Sequence, residues 1–142
     1  MSLFRKENID IDKISSAGFQ PQQDRVLIYL WEQAIKGRIP VYLARVPFAL
    51  IEPYDKHYNF NDHPVGQQVV KAIIDQNRNR TVWVYPEGDK YILSDDYPAY
   101  CAAVESSPEF VPCWILGKPD DDRLKDIQGP IGREEIRQII FE

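Results

Sequence analysis

The chain has 142 residues, with 17 basic and 22 acidic side chains and a net charge of -5, which argues against broad non-specific binding to DNA or RNA by a cationic surface. Hydrophobic residues make up 44% and aromatics 12%, the composition of a globular chain with a real core and not of a disordered one. No apolar run reaches the ~18 residues of a membrane span, and Met1 to Glu7 lacks the apolar stretch of a signal peptide, so a cytoplasmic protein with no membrane partner is expected.

The first 20 residues are polar and mixed, with Ser15 to Gly18 reading as a loop. Pro21 is expected to open a helix, whose apolar face is Val26, Leu27, Leu30, Trp31, Ala34 and Ile35, and Gly37 sits where a helix C-terminal glycine belongs. Two extended segments follow, Ile39 to Ala44 and Val46 to Ile51, with Pro40 and Pro47 marking edges or strand starts. Glu52 to His63 is a polar loop. Asp62 and Pro64 are start signals for a helix with the stripe Val65, Val69, Val70, Ile73 and Ile74, ending near Gln76 and Asn77.

Thr81 to Tyr85 reads as a strand with Val82 and Val84 on one face and Trp83 on the other. Pro86 to Asp89 is a turn, and Lys90 to Ser94 returns as a hairpin arm. That arm runs straight into a helix capped by Asp95 or Asp96, with Pro98 in its first turn, reaching about Glu105. Phe110 to Leu116 is read as the last strand, with Pro112 hinting at an edge, and Asp120 to Asp122 as a solvated turn. Ile136, Ile139 and Ile140 mark a final helix from Arg133 to Phe141. The pattern predicts an α+β fold in a single domain, 1–142: a small mixed sheet with packed helices, a core at about 39–117, an N-terminal helical extension, 1–38, and a C-terminal tail with a short helix, 118–142. Apolar edge strands and the tail helix allow a dimer.

A strand feeding a helix N-terminus is a place for anions, and here it carries Asp95 and Asp96. Two readings stand side by side: adjacent carboxylates that bind a divalent metal or act as acid and base, and caps at a favourable dipole end. Lys71, Arg78 and Arg80 near the end of the preceding helix meet either a phosphate or an acidic partner, or only the helix dipole. Tyr97 and Tyr100, with Tyr54, Tyr58 and Phe60, line a pocket or pack. His57 and His63, near Asp55 and Asp62, lack a third metal ligand at a recognisable spacing. Cys101 and Cys113 are two cysteines without a disulfide framework, and both read as small buried residues.

From Val46 to Leu116 the chain resembles the ParB/sulfiredoxin-like superfamily, the N-terminal domain of ParB partition proteins and its relatives. The resemblance lies in Val46 to Pro53 as an opening strand ending near a proline, the helix from Val65 to Asn77, the strand pair running into a helix, and a closing strand that begins Val111-Pro112. The family motif is a glycine with an acid/arginine box (G-E-R-R), then a helix with a tyrosine and paired alanines. Tyr100, Ala102 and Ala103 match the helix part. Asp96 stands at the glycine, and Tyr97, Pro98 and Ala99 stand where the charged residues belong. The arginine that meets phosphate in family members with nucleotide chemistry is thus Ala99 here, and Cys101 falls later than the sulfiredoxins' catalytic cysteine.

The resemblance therefore implies the fold with a degenerate box. The expected function is a non-catalytic binding or interaction protein. The alternative is a nucleotide-binding module or nucleotide-dependent enzyme with a divergent site at Asp95 to Tyr100, taking nucleotide with magnesium. A partition-type association with DNA is the weaker alternative.

Overall fold

The run Val82-Trp83-Val84-Tyr85 sets the plan of the molecule, because a strand sends alternate side chains to opposite faces. All four are buried, so both faces of that strand must be covered. The computed structural model describes residues 24–55, 64–75 and 80–141. Its elements in chain order are α1 (Arg25–Ile35), β1 (Val41–Pro47), a 3-10 turn (Phe48–Leu50), β2 (Ile51–Pro53), α2 (Pro64–Asp75), β3 (Val82–Glu87), β4 (Lys90–Leu93), α3 (Tyr97–Ser106), β5 (Phe110–Leu116), β6 (Lys125–Gln128) and α4 (Arg133–Phe141).

The strands form one mixed sheet in the order β2-β4-β3-β5-β1-β6. β1 is antiparallel to β5 and β6, β3 is antiparallel to β4, and the pairs β2–β4 and β3–β5 are parallel. The α+β class is therefore as expected. The hairpin closes at Glu87 opposite Lys90. Gly88 takes φ 63 there, the positive angle that a two-residue hairpin turn assigns to glycine.

One sheet face carries Val46, Val82, Val84, Leu93, Cys113 and Ile115 and packs on Tyr97, Ala99, Tyr100 and Ala103 of α3. The other carries Val41, Trp83, Tyr85, Ile92 and Leu116 and packs on Leu27, Trp31 and Ala34 of α1 and Ile136 and Ile140 of α4. Each such aliphatic side chain stabilises by roughly 1.5–3 kcal/mol on full burial. None of the described helices is long and apolar enough to cross a membrane.

α1 starts at Arg25, and its cap is Asp24 and not the expected Pro21 opening; Pro21 itself lies outside the described residues. The Asp24 carboxylate accepts from Val26 N at 2.9 Å and Leu27 N at 3.3 Å, and the Tyr85 hydroxyl donates to its other oxygen at 2.7 Å. One buried carboxylate thus satisfies the first turn of α1 and ties it to the centre of the sheet. The helix ends as expected, with Gly37 at φ 76. Val26, expected on the apolar face, is 49% exposed, because that face narrows to Leu27, Ile28, Trp31 and Ala34.

Several expectations for the sheet are corrected. β1 is one continuous strand from Val41 to Pro47 and lies inside the sheet, between β5 and β6. β5 is a central strand despite Pro112, because its pairing with β3 begins only at Cys113, so the proline sits where β5 is paired on one side. β5 is also not the last strand. The tail contains β6, which pairs with β1 through Leu43 and Arg45. Gly129 then turns the chain back at φ 139, where a Cβ would come within 2.9 Å of the Tyr42 ring and 3.2 Å of the Val41 carbonyl. The sheet edges are β2 and β6, short strands with the sequences Ile-Glu-Pro and Lys-Asp-Ile-Gln, not apolar ones. α4 occupies the expected residues with Ile136 and Ile140 buried.

Candidate functional site

β4 ends at Leu93, and α3 begins at Tyr97 after three intervening residues. Such a reversal needs one residue outside the right-handed regions, and Asp96 supplies it at φ 66, ψ 56. Aspartate tolerates this left-handed conformation better than most side chains because it bonds locally. Its carboxylate accepts from Ala99 N at 3.3 Å and so caps α3, with Pro98 in the first turn. Asp96 thus combines a left-handed backbone with a capping side chain.

The same carboxylate pairs with the Arg80 guanidinium at 2.6 Å. The two ends of this pair differ in environment, since the Asp96 side chain is 15% exposed and that of Arg80 44%. Burial pushes the Asp96 pKa above the usual carboxylate range, and the Arg80 charge and the Ala99 N–H offset only part of this. A guanidinium shared with water screens its own field, so a close ion pair and a raised pKa coexist. Folding therefore favours the protonated acid. That contribution is whole below the unfolded value of 3.8 and is lost as pH rises through the higher folded value.

Of the residues predicted for a site, the structure brings together Asp96 and Arg80. Asp95 is half-buried just before the cap. Tyr97 is 2% exposed, and its hydroxyl accepts from Asp55 N at 2.9 Å, holding the end of β2 against the start of α3. Tyr100 packs on Phe48 with ring centroids 5.8 Å apart. Lys71 is exposed on α2 and is not part of the Asp96–Arg80 pair. Arg78 lies outside the described residues, as do His57, His63, Tyr58 and Phe60. Among the described residues no group of three or more His, Cys, Asp and Glu is placed to hold a metal ion. Cys113 is buried as expected, whereas Cys101 is only half-buried. Asp121 is not merely a solvated turn residue, for it accepts from Tyr91 Oη at 3.0 Å and from Arg123 Nε and Nη2 at 2.8 Å.

Beside the junction, between α2, α3 and the sheet, lies a cavity of about 140 Å³. Phe48, Ile51, Ile73, Leu93, Ala103 and Phe110 form much of its wall, with Arg80 at one side. No sequence motif marks it, since its walls come from six separate stretches of the chain. The available signal was the run of small residues Ala99, Ala102 and Ala103 on the helix, which leaves room above the sheet.

Three phenols carry a pH signature. Burial first, and the Asp121 carboxylate second, raise Tyr91 to about 12; burial also raises Tyr97 to about 12, and burial with the Asp24 bond raises Tyr85 well above the ordinary value of 10.0. A phenol with a raised folded pKa holds its proton more tightly in the native state, so its contribution is whole below pH 10 and disappears as pH climbs through the folded value. The protein is expected to lose stability between pH 10 and 12, with these phenolates forming only as it unfolds. Absorbance of tyrosinate against pH, run beside circular dichroism, checks this. Full tyrosinate signal at pH 11 in the folded protein would contradict it.

No family model matches the sequence, and no curated protein matches it. By structure the chain is similar to sulfiredoxin from Arabidopsis thaliana, with a TM-score of 0.41 and 13% identity over 54% of this chain and 85% of that one. It is also similar to the C-terminally truncated chromosome-partitioning protein ParB from Caulobacter crescentus, solved with CTP-γ-S, with a TM-score of 0.42 and 13% identity over 55% of this chain. The match spans 46% of that ParB chain.

Proposed function

We propose that the chain is a non-catalytic binding or interaction protein in which the family's phosphate-binding box has become a structural joint. One observation carries this: the Asp96 carboxylate occupies the start of α3, caps Ala99 N and pairs with Arg80 at 2.6 Å. A helix start draws phosphate through its unpaired N–H groups and its positive end. Here a carboxylate takes one of those donors and repels an anion, and a cation predicted to meet phosphate is bound to that carboxylate.

Thermal unfolding with ATP, ADP, CTP and GTP, each with and without magnesium, tests the proposal. No shift is expected. A nucleotide at about 100 times its Kd would stabilise by roughly 2.7 kcal/mol, which is several degrees for a chain of this size, and such a shift would overturn the reading. Asp96 variants separate joint from ligand. Asn also caps helices and adopts left-handed angles, so Asp96→Asn is expected to stay within about 0.5 kcal/mol of wild type at neutral pH. Asp96→Ala loses the cap and strains the backbone, at about 2 kcal/mol.

A further inference from the structure

The geometry points to the cavity beside α3 as a site for a small uncharged molecule: a single ring or short branched hydrocarbon bearing one hydrogen-bond acceptor. The inference rests on the proposed binding role and names its ligand class. Size sets the first limit. At about 140 Å³ the cavity is close in volume to the ~150 Å³ cavities that admit benzene, and it opens to solvent at its rim. Three alanines of α3, Ala99, Ala102 and Ala103, line it together with the bulkier Phe48, Leu93 and Phe110. Entry is available at Ile74 and Arg80, whose exposures of 37% and 44% place them at the rim.

Charge sets the second limit. Among the described residues that line the cavity, Arg80 is the charged one, and Asp96 already neutralises it. An anionic ligand would bring a second negative charge beside the Asp96 carboxylate, and a cation would face the guanidinium. A neutral carbonyl or ether oxygen avoids both, and a guanidinium carries five N–H donors, more than one carboxylate contact uses. Ser106, which with Tyr100 is one of two hydroxyl-bearing residues on the wall, donates to Ala102 O at 2.9 Å, so it does not define the polar end.

Titration of the full chain with cyclohexanone, toluene and benzoate, followed by amide NMR, tests this. Cyclohexanone is expected to saturate, with its largest shifts at Val82 and Ala103, and toluene and benzoate to bind about tenfold more weakly. Ala103→Leu fills the cavity and is expected to abolish the shifts while the fold persists; Ala99→Val is the second variant should the first not fold. No saturable binding of any probe, unchanged binding in a folded filled variant, or benzoate as the tightest ligand would each overturn the inference. A nucleotide-dependent thermal shift would overturn the structural reading of Asp96 while leaving the cyclohexanone result standing, so the two failures are distinguishable.

Discussion

Asp24→Ala is expected to cost about 3 kcal/mol. Losing the cap on Val26 N and Leu27 N accounts for about 1 kcal/mol. Losing the charge-assisted bond from Tyr85 accounts for about 1.5–3 kcal/mol, because the phenol then has a buried donor without an acceptor. Asp24→Asn keeps one acceptor, for the cap, and sets an NH2 donor against the Tyr85 hydroxyl, so it is expected to recover the cap's share of about 1 kcal/mol and not that of the Tyr85 bond. Tyr85→Phe removes only the shared bond, so a double-mutant cycle between the two sites should show a coupling of about 1–2 kcal/mol. Urea unfolding measures all four proteins, and an Asp24→Ala cost below about 1 kcal/mol would mean that this carboxylate does not fasten α1 to the sheet.

Trp83→Ala is the other large effect, at about 3–5 kcal/mol. Trp83 stands edge-on to Trp31, with centroids 6.0 Å apart at 81°, and tilts against Trp114 at 6.2 Å. Aromatic pairs of this kind add about 0.5–1.5 kcal/mol beyond the area they bury. Against a domain stability of about 5–15 kcal/mol, the variant should be marginal at room temperature. These are all three tryptophans of the chain, and they sit on the sheet face that α1 and α4 cover. Intrinsic fluorescence therefore reports that face alone. The expected result is a lower urea midpoint, with the fluorescence and circular dichroism transitions still coincident. A wild-type-like midpoint would sink the packing described here.

The elements legible in the sequence were those whose side chains declare a period. The hairpin was readable from Val82, Trp83, Val84 and a Gly-Asp turn, and α4 from three isoleucines, because burial on one face requires those spacings. β6 was not readable. Lys125 to Gln128 are all exposed, so the strand exists through its backbone pairing with β1 and leaves no hydrophobic alternation. Pro47 and Pro112 misled for a related reason: a proline excludes a hydrogen bond on one side of a strand, and sequence does not say on which side the neighbour begins. At the site, the cap at Asp96 followed from local chemistry. Its bond to Arg80 depends on how β3 and α3 are brought together, and the cavity on packing between remote segments, so neither had a local signature.

The position of α4 has a consequence for how the protein is made. On the ribosome, Trp83 and Tyr85 emerge well before Ile136 and Ile140, the residues that share their cluster. At ~5–20 residues per second the aromatic face waits for its cover on the order of seconds. A nascent chain stalled before residue 133 would display that face, half-roofed by α1, as a ready substrate for chaperones. Premature stop codons in this stretch should thus yield sticky, rapidly cleared products and not merely shortened ones.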